Sequence, residues 1–355
     1  MPSIASLVAA GLADQAVSQN HCVVPSAFAT TDAPRFCALP GAADPFRHQI
    51  LVGPSHLSPM VGKAITAIEF RRSADSDMFN GGAIHLDLQL STSPLAPLET
   101  SELFANNAGS QPVSAFTGQV AVPTSPAAVG PNVPWSPDNV VKIQLSAPFA
   151  YTGGTLCIDL TGTPVAGQEV NWWMADACFE SVTGSTIDLG GGCGNFGGAT
   201  SQWSTVDKRS LVPGGYAHFR AFGTPYGLSI AAFGAKSPIG VPLAALGFNA
   251  QAGCDLYLST FESLMAGLFI PDPALPARGG RSDITFKLVA DPLLLGASMT
   301  TQWLDWTQQS TSNAIEWTIA SSVPTLDMAL VEGHPQSSEG HVSTYMAHVL
   351  RFEYQ

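Results

Sequence analysis

Two pairs of tryptophans are the residues of this sequence best suited to binding a ligand. Trp172 and Trp173 are adjacent, and Trp303 and Trp306 are separated by two residues. Side chains that follow one another on an extended chain point to opposite faces, so we expect at least one indole of each pair to leave the core. An exposed indole can stack on a sugar ring or anchor a protein interface. The four tryptophans are therefore candidate ligand-binding residues, and the alternative is that most of them fill the sandwich cores.

A short acidic loop offers oxygen atoms of the kind that calcium binds. Asp75, Asp77 and Asn80 lie close together in the sequence, next to Gly81. Calcium takes carboxylate and amide oxygens as ligands, but this loop lacks the acidic residue with which an EF-hand loop ends. A structural calcium ion is the one cofactor that the sequence suggests, and a solvated turn is the alternative.

The cysteines favour an oxidising compartment, because their number is even and no two have the CxxC spacing that is common in zinc sites. Cys22 with Cys37, and Cys178 with Cys193, would each enclose a loop of 14 residues. A disulfide around a loop of that size stabilises by about 3 kcal/mol. Other pairings stay open, and buried free thiols are the alternative. The candidate disulfide residues are Cys22, Cys37, Cys157, Cys178, Cys193 and Cys254.

Catalytic motifs are not recognisable in the chain. The eight histidines have no HxH or HExxH spacing, so a surface or turn position is the default prediction for each. No GxSxG motif is present, and the adjacent Ser55 and His56 point to opposite faces. Asp305 and Glu316 are a candidate carboxylate pair for a glycoside hydrolase, although sequence gives no distance between them. The sequence therefore predicts that the protein is not an enzyme of a recognisable type.

Alternation of apolar and polar residues is the dominant pattern that would position these side chains. It is clear in residues 83–91, 140–146, 156–160, 284–288 and 315–319. Half-buried strands of antiparallel sheets show this period of two, and Gly- and Pro-rich turns separate them here. No long amphipathic helix interrupts the series. The sequence predicts an all-β fold with two antiparallel, jelly-roll-like β-sandwich domains and extended N- and C-terminal segments.

Turn-rich segments suggest where the domains begin and end. The N-terminal segment contains an apolar stretch, residues 4–13, which suits either a weak export signal or part of the mature chain, because no Lys or Arg precedes it. The alternation in residues 342–354 has no evident hairpin partner. The predicted units are an N-terminal segment at 1–44, a first sandwich at 45–223, a second sandwich at 224–333 and a C-terminal strand or tail at 334–355.

A series of short motifs resembles a known group of proteins. Residues 47–52, 65–71, 88–93, 103–109 and 148–156 follow one another in order. Together they resemble the first module of uncharacterised, secreted, two-module β-sandwich proteins of planctomycete and myxobacterial type. The resemblance implies secretion and two sandwiches, and it brings no catalytic residue. The motifs that resemble the second module are residues 238–240, 252–256 and 308–314.

Charge is sparse in this chain. Only 12% of the 355 residues are charged, and the net charge is −13, whereas about a quarter is usual in soluble domains. A chain this acidic has no basic stripe for nucleic acid and does not suit an anionic membrane surface. It also contains no apolar run long enough for a transmembrane helix. A surface with few charges tolerates close contact with copies of itself, because few charges must be desolvated.

These observations predict a secreted structural protein, located outside the cell or at its surface. We expect it to assemble with copies of itself into a fibre, sheath or surface layer, through sandwich contacts and exchange of its terminal strands. The alternative function is an extracellular carbohydrate-binding, lectin-like module with polysaccharide as its partner.

Overall fold

The computed structural model describes residues 20–74, 77–128, 130–168, 170, 173–193, 204–271 and 279–355. Strands make up most of these residues, and their pairs are antiparallel, as the alternating pattern predicted. The all-β fold class is therefore confirmed. Among these described residues, no helix has the length and apolar composition that a membrane span requires.

The strands before residue 180 are joined by turns and short helices. The α-helices are α1 (Pro54–Leu57) and α2 (Phe104–Asn107), and the 3-10 turns are Ser26–Phe28, Ser58–Met60, Pro97–Glu99 and Pro137–Asn139. The strands are β1 (Asn20–Val24), β2 (Arg35–Ala38), β3 (Phe46–Val52), β4 (Lys63–Arg71), β5 (Gly82–Ser93), β6 (Val113–Val122), β7 (Val140–Tyr151), β8 (Thr155–Pro164) and β9 (Met174–Phe179).

The chain continues with shorter strands and with 3-10 turns at Leu243–Leu246 and Pro292–Leu294. These strands are β10 (Ser185–Gly190), β11 (Ser204–Val206), β12 (Tyr216–Gly223), β13 (Leu228–Gly234), β14 (Lys236–Pro242), β15 (Asp255–Leu258), β16 (Ser263–Leu268), β17 (Ile270–Pro271), β18 (Gly280–Lys287), β19 (Ser298–Asp305), β20 (Ser310–Thr311) and β21 (Ala314–Thr318). The last four are β22 (Met328–Gly333), β23 (His341–Ser343), β24 (Met346–His348) and β25 (Leu350–Tyr354).

The first region comprises residues 20–179 and 328–354. Its sheets have the orders β23-β22-β3-β8-β5-β6, β1-β25-β4-β7 and β2-β9-β24. Alternating strand residues from these sheets meet in one apolar cluster, which contains Leu86 and Leu88 of β5, Ile143 of β7 and Phe352 of β25. Burial of this face is what the hydrophobic effect drives, at about 25 cal/mol for each Å² removed from water.

The second region comprises residues 185–318. Its largest sheet has the order β10-β21-β19-β13-β16, with β20 beside β19. A second sheet, β11-β12-β18-β17, packs against it, and β14 pairs with β15. Aromatic rings fill the core between the two sheets: Phe219 lies 5.1 Å from Phe233 and 5.3 Å from Trp317, measured between ring centroids.

The sheets divide the chain at different positions from those predicted. β12 lies before the expected boundary at residue 223, yet it pairs with β18 along its whole length. β22 lies in the expected second sandwich, yet it pairs with β3 of the first region. The chain therefore changes region at residues 180–184 and 319–327. Turn-forming residues after Phe222 mark a real turn, but turn composition does not say whether the chain changes core.

The C-terminal strand is paired inside the chain, although the sequence predicted that both terminal segments would be extended and free to exchange. β25 lies between β1 and β4 in one sheet, and β24 pairs with β9 in another. The strand predicted at residues 342–354 is therefore three, β23, β24 and β25. The break between the last two falls at Val349, whose backbone N–H donates to the carbonyl of Asp176 at 2.9 Å. The apolar stretch at residues 4–13 lies outside the described residues.

A small cluster joins the two regions. Tyr216 of β12 packs with Phe104, Val331 and Val342 of the first region. The Tyr216 hydroxyl also accepts a hydrogen bond of 3.0 Å from the backbone N–H of Glu102. These contacts give the second region a fixed point of attachment that is both apolar and hydrogen-bonded.

A buried ion pair crosses the core of the first region. The guanidinium of Arg71 lies 2.5 Å from the carboxylate of Asp176, and both side chains are almost fully buried. Arg71 also donates to the backbone carbonyls of Phe28, Thr31 and Val133. Because burial of charge is costly, each partner depends on the other for compensation.

Candidate functional site

The predicted tryptophan site is dispersed. Trp173 lies in the core of the first region and Trp303 in the core of the second, and both are buried. Trp306 is 51% exposed and packs edge-on against Phe248. Trp172 lies outside the described residues. Core packing, the stated alternative, therefore holds for Trp173 and Trp303, and Trp306 is the indole that remains open to a partner.

The predicted calcium loop is only partly described. Asp75 lies outside the described residues, whereas Asp77 and Asn80 lie within them. The guanidinium of Arg72 donates to the backbone carbonyl of Asp77 at 3.0 Å. This places a positive charge at one oxygen of the loop, and calcium binding there stays a prediction.

One disulfide joins the residue just before β15 to the segment that follows β10. Cys193 is bonded to Cys254, with 5.0 Å between their Cα atoms. The two short-loop pairings considered for the sequence are not formed, because their members lie in different sheets or regions. Cys178 stays in the first region, where its thiol donates to the carbonyl of Ala347 at 3.2 Å. The described free cysteines are Cys22, Cys37, Cys157 and Cys178.

The thiols of Cys157 and Cys178 are expected to be unreactive. Burial raises the pKa of each to about 12. Thiolate is the reactive form of cysteine, so these two side chains behave as small apolar residues in the core.

An apolar strand edge lies on the surface of the second region. β16 is the end strand of its sheet in the described part of the chain, and it contains no charged residue. Leu264, Ala266 and Leu268 point outward, and Leu228 lies directly opposite Leu268 on β13. We call these four residues the edge surface. Leu264 is 61% exposed and Leu268 53% exposed. The edge surface therefore presents apolar side chains along a strand edge that pairs with no other strand of the described residues.

An apolar cavity lies behind the edge surface, in the core of the second region. Its volume is about 340 Å³. Met265, the inward-facing residue of β16, forms part of its wall. The other large side chains around it include Phe233, Phe286, Met299 and Trp317.

A polar pocket of about 590 Å³ lies on the β1-β25-β4-β7 sheet of the first region. Glu69 of β4 faces Arg351 of β25 on one side and Lys142 of β7 on the other. Lys142 Nζ lies 2.5 Å from a carboxylate oxygen of Glu353 and 3.8 Å from one of Glu69. The indole of Trp135 closes one side, with the guanidinium of Arg351 4.8 Å from its ring centre. The pocket therefore concentrates charge in a protein that has little of it.

Two histidines, a cysteine and a glutamate meet in the core of the first region. His48 Nδ1 lies 2.9 Å from His348 Nε2. His48 Nε2 lies 3.4 Å from a carboxylate oxygen of Glu332, and the thiol of Cys37 donates to the same oxygen at 3.4 Å. Cys37, His48 and His348 are buried, and one ligand atom from each lies within 4.8 Å of the others. We call these four residues the His–Cys cluster.

The electrostatics of the His–Cys cluster follow from its burial. Desolvation lowers the pKa of His348 to about 3, with a further lowering from His48, so this imidazole is neutral. Burial alone would raise the pKa of Glu332, but the hydrogen bond and charge of His48, together with Cys37 and His348, more than offset it and lower the pKa to about 2. Burial, with Glu332 beside it, raises the pKa of the Cys37 thiol.

The default prediction of surface positions is therefore wrong for His48 and His348. Their side chains are 2% and 0% exposed.

Comparisons with known proteins identify no family for this chain. No family model matches the sequence, and no curated protein matches it. The cryo-EM structure of T=1 Penaeus vannamei nodavirus aligns with 86% of this chain and 99% of that chain, at 9% identity and a TM-score of 0.14. A TM-score this low carries no argument about fold or function. The candidate sites therefore have to be judged on their own geometry.

The residues weighed for hydrolytic chemistry have other partners. The Ser55 hydroxyl donates to Asp327 at 2.5 Å, while His56 Nε2 lies 2.7 Å from the backbone carbonyl of Leu326. Asp305 accepts hydrogen bonds from the backbone N–H groups of Thr224, Thr307 and Gln308. These side chains organise turns, which explains their presence without catalysis.

Sequence reasoning missed the polar pocket and the His–Cys cluster. Within the pocket, Glu69 and Arg351 lie 282 positions apart in the chain, and within the cluster, His48 and His348 lie 300 apart. One signal was available: in a chain with few charges, β4 carries Glu69 and Arg71 and β25 carries Arg351 and Glu353. Charges in strands that join a core require partners.

Proposed function

We propose that the protein is a secreted structural protein that associates with copies of itself through the edge surface of the second region. The observation that carries this proposal is β16, an uncharged strand whose outer edge has no partner in the described residues. Natural proteins usually protect such edges with charges, proline or a covering element. An edge without this protection favours pairing with a second strand.

A second copy of β16 is a suitable occupant of this edge. Two β16 strands can pair antiparallel about a two-fold axis, so that the same surface serves both copies. Their backbone groups would continue the sheet, and Leu264 and Leu268 of each copy would be removed from water. Complete burial of a leucine is worth about 1.5–3 kcal/mol, and these side chains are already partly buried, so each contributes about 1 kcal/mol.

The association that this surface supports is weak for one pair of molecules. Binding must first overcome about 4–15 kcal/mol of lost translational and rotational freedom, and the net charge of −13 adds repulsion between copies. Repulsion of this kind is screened by salt. We therefore expect association to strengthen as salt rises and to become stable where several contacts act together in an assembly.

The exported, two-module character of the protein belongs to the same proposal. The Cys193–Cys254 disulfide supports an extracellular location, because such bonds persist in oxidising compartments. The two separate apolar clusters support a layout of two sandwich modules. Terminal-strand exchange is no longer part of the mechanism, since β1 and β25 pair with each other within one chain.

Sedimentation velocity over a range of protein and salt concentrations tests the proposal. The wild-type protein should form dimers or larger species as concentration and salt increase. Leu264→Lys places a charge on the edge surface and should lower the association constant at least about 10-fold, the effect of about 1.4 kcal/mol. Leu293→Lys is the matched control, because Leu293 is 88% exposed and belongs to the 3-10 turn Pro292–Leu294, outside the edge surface.

Thermal unfolding of both variants shows whether they fold like the wild type. If Leu264→Lys associates as strongly as the wild type and Leu293→Lys do, the contact between copies does not involve the edge surface. A wild-type protein that stays monomeric at high concentration and high salt contradicts the proposal outright.

The polar pocket favours a second candidate function, the binding of a carbohydrate. Carboxylates, a lysine and an arginine around one indole are groups that hydrogen-bond and pack on sugars.

A glycan array followed by titration, with tryptophan fluorescence as the signal, tests carbohydrate binding at the polar pocket. Lys142→Met should weaken binding about 10-fold or more, because a hydrogen bond to a charged group is worth about 1.5–3 kcal/mol. Lys236→Met, which changes an equally exposed lysine of the second region, should leave binding unchanged. No binding on the array rules this function out.

A further inference from the structure

We propose that Cys37, His48 and His348 form a binding site for a divalent metal of the zinc class, in which Glu332 positions His48. The site is separate from the edge surface and from the polar pocket. It lies in the core of the first region, where two sheets face each other.

Strand register explains how three distant residues meet. On β9, Ala175 pairs with Cys37 of β2 and Ala177 pairs with His348 of β24. Residues two apart on a strand share a face, so Cys37 and His348 lie on the same face with small alanine side chains between them. On the opposing sheet, His48 of β3 pairs directly with Glu332 of β22. The two sheets thus bring a cysteine and a histidine to face a histidine and a carboxylate.

The donor set selects the kind of metal. One thiol and two imidazoles are ligands for zinc and similar transition metals, whereas calcium and magnesium require oxygen. The carboxylate of Glu332 lies on Nε2 of His48, while Nδ1 of the same ring faces His348. Metal-bound histidines commonly have this arrangement, with one nitrogen on the metal and the other held by a carboxylate.

The dimensions of the His–Cys cluster suit a metal after a small adjustment. Zinc–nitrogen bonds of about 2.0–2.1 Å at a tetrahedral angle separate two nitrogens by about 3.3 Å. The two imidazole nitrogens are 2.9 Å apart, so the rings must separate by a few tenths of an ångström and exchange their hydrogen bond for two bonds to the metal. Glu332 is 28% exposed at its side chain, and this end of the cluster gives an ion a route from solvent.

An alternative reading, a cysteine nucleophile activated by histidine, is less consistent with the geometry. The Cys37 thiol contacts the carboxylate of Glu332 rather than a ring nitrogen. Cys37 is also 7% exposed, which leaves no room for a substrate beside the sulfur. A metal requires only a small space between the three side chains.

Zinc and cobalt titrations of the metal-free protein, with its disulfide intact, test the site. Isothermal titration calorimetry should show one zinc ion bound per chain. Cobalt should give the visible bands of a tetrahedral site and a near-ultraviolet charge-transfer band from a thiolate. Cys37→Ser and His348→Gln should each lower zinc affinity more than about 100-fold. Cys178→Ser is the matched control, because Cys178 is an equally buried free thiol outside the cluster.

Glu332→Gln distinguishes a positioning role from that of a ligand. It should lower zinc affinity about 10- to 100-fold and keep the thiolate band of the cobalt complex. If Glu332→Gln leaves affinity unchanged, Glu332 does not position His48.

The wild-type protein alone can overturn the proposal. A metal-free protein that binds no zinc in a saturable way contradicts it, as does a cobalt complex without a thiolate band. The same holds if Cys37→Ser binds zinc as tightly as Cys178→Ser. Because the cobalt spectrum needs no variant, the test survives even if Cys37→Ser does not fold.

Discussion

Both regions are built from strands with alternating apolar residues, but the first region buries many more of these residues than the second. In the described residues, the main apolar cluster of the first region contains 37 buried residues, and that of the second contains 11. Of the 18 large apolar side chains that are exposed in this part of the chain, 12 belong to the second region. The second core also contains the apolar cavity.

This difference suggests that the regions have different sources of stability and different roles. Three sheets enclose the core of the first region, and it tolerates a buried ion pair and the His–Cys cluster. The second region has a smaller apolar core, a disulfide and an apolar strand edge. We infer that burial stabilises the first region, while the cross-link allows the second to keep apolar residues on its surface for contacts.

The largest expected effect is loss of the buried ion pair in the first region. Asp176→Ala leaves Arg71 charged and without its main partner, which should lower the free energy of unfolding by about 3–5 kcal/mol. Asp283→Ala removes the carboxylate that Arg220 and Arg281 share at the surface of the second region and should cost about 0–1 kcal/mol. Urea unfolding followed by circular dichroism measures both. If the two variants lose the same free energy of unfolding, burial does not make the ion pair of the first region more important for stability.

Removing the disulfide should destabilise the second region. The bond joins residues 61 positions apart, and Cys193→Ser with Cys254→Ser should lower the free energy of unfolding by about 2–4 kcal/mol. The unfolding of the second region should shift to lower denaturant and separate from that of the first, with which it coincides in the wild type. Reduction of the wild type should reproduce the shift and leave the double variant unaffected. If reduction does not change the unfolding of the wild type, the apolar core of the second region is sufficient for its stability without the disulfide.

The cluster between the regions determines whether they unfold together. Tyr216→Phe removes the hydrogen bond from the N–H of Glu102 and should cost about 1 kcal/mol. We expect it to separate the two unfolding transitions, seen as a broader calorimetric peak. Tyr226→Phe changes a tyrosine that is 77% exposed and should have no effect. An unchanged peak in Tyr216→Phe would mean that the regions are coupled elsewhere.

The smallest expected effect is a dependence of stability on pH at the same boundary. Burial lowers the pKa of His218 in the folded protein, with added repulsion from His341, whose ring centroid lies 4.9 Å away, and Asp207 and Asp283 oppose this. The folded state therefore resists protonation, so this contribution to stability is present above the unfolded pKa of about 6.5. It is lost as pH falls from there through the lower folded pKa. His218→Gln should flatten the pH dependence of the melting temperature in this range, and a slope equal to that of the wild type contradicts the assignment.

Strand positions were predictable from the sequence because alternation is a local property. Residues 83–91 lie within β5, and residues 140–146 lie within β7. The pairing of strands was not predictable, because it depends on which sheet a strand joins. Tyr216–Phe222 looks like the end of a first domain until its pairing with β18 is known.

The candidate site escaped prediction for the same reason. His348 fits the alternation of the last strand as well as Leu350 does. Its meeting with His48 follows from the break at Val349, where β24 joins one sheet and β25 another. Cys193 likewise finds Cys254 because both reach the β14–β15 side of the second region, a relation that the spacing of cysteines does not contain.

The insertion of the second region between β9 and β22 has a consequence for synthesis. During synthesis, residues 185–318 leave the ribosome before β22 to β25 do. The second region can therefore fold while the first region still lacks these four strands. β25 must then insert between β1 and β4, through contacts between residues at least 280 positions apart. Until that last strand arrives, the edge of β4 lacks a partner that it has in the folded protein and is open to wrong pairing.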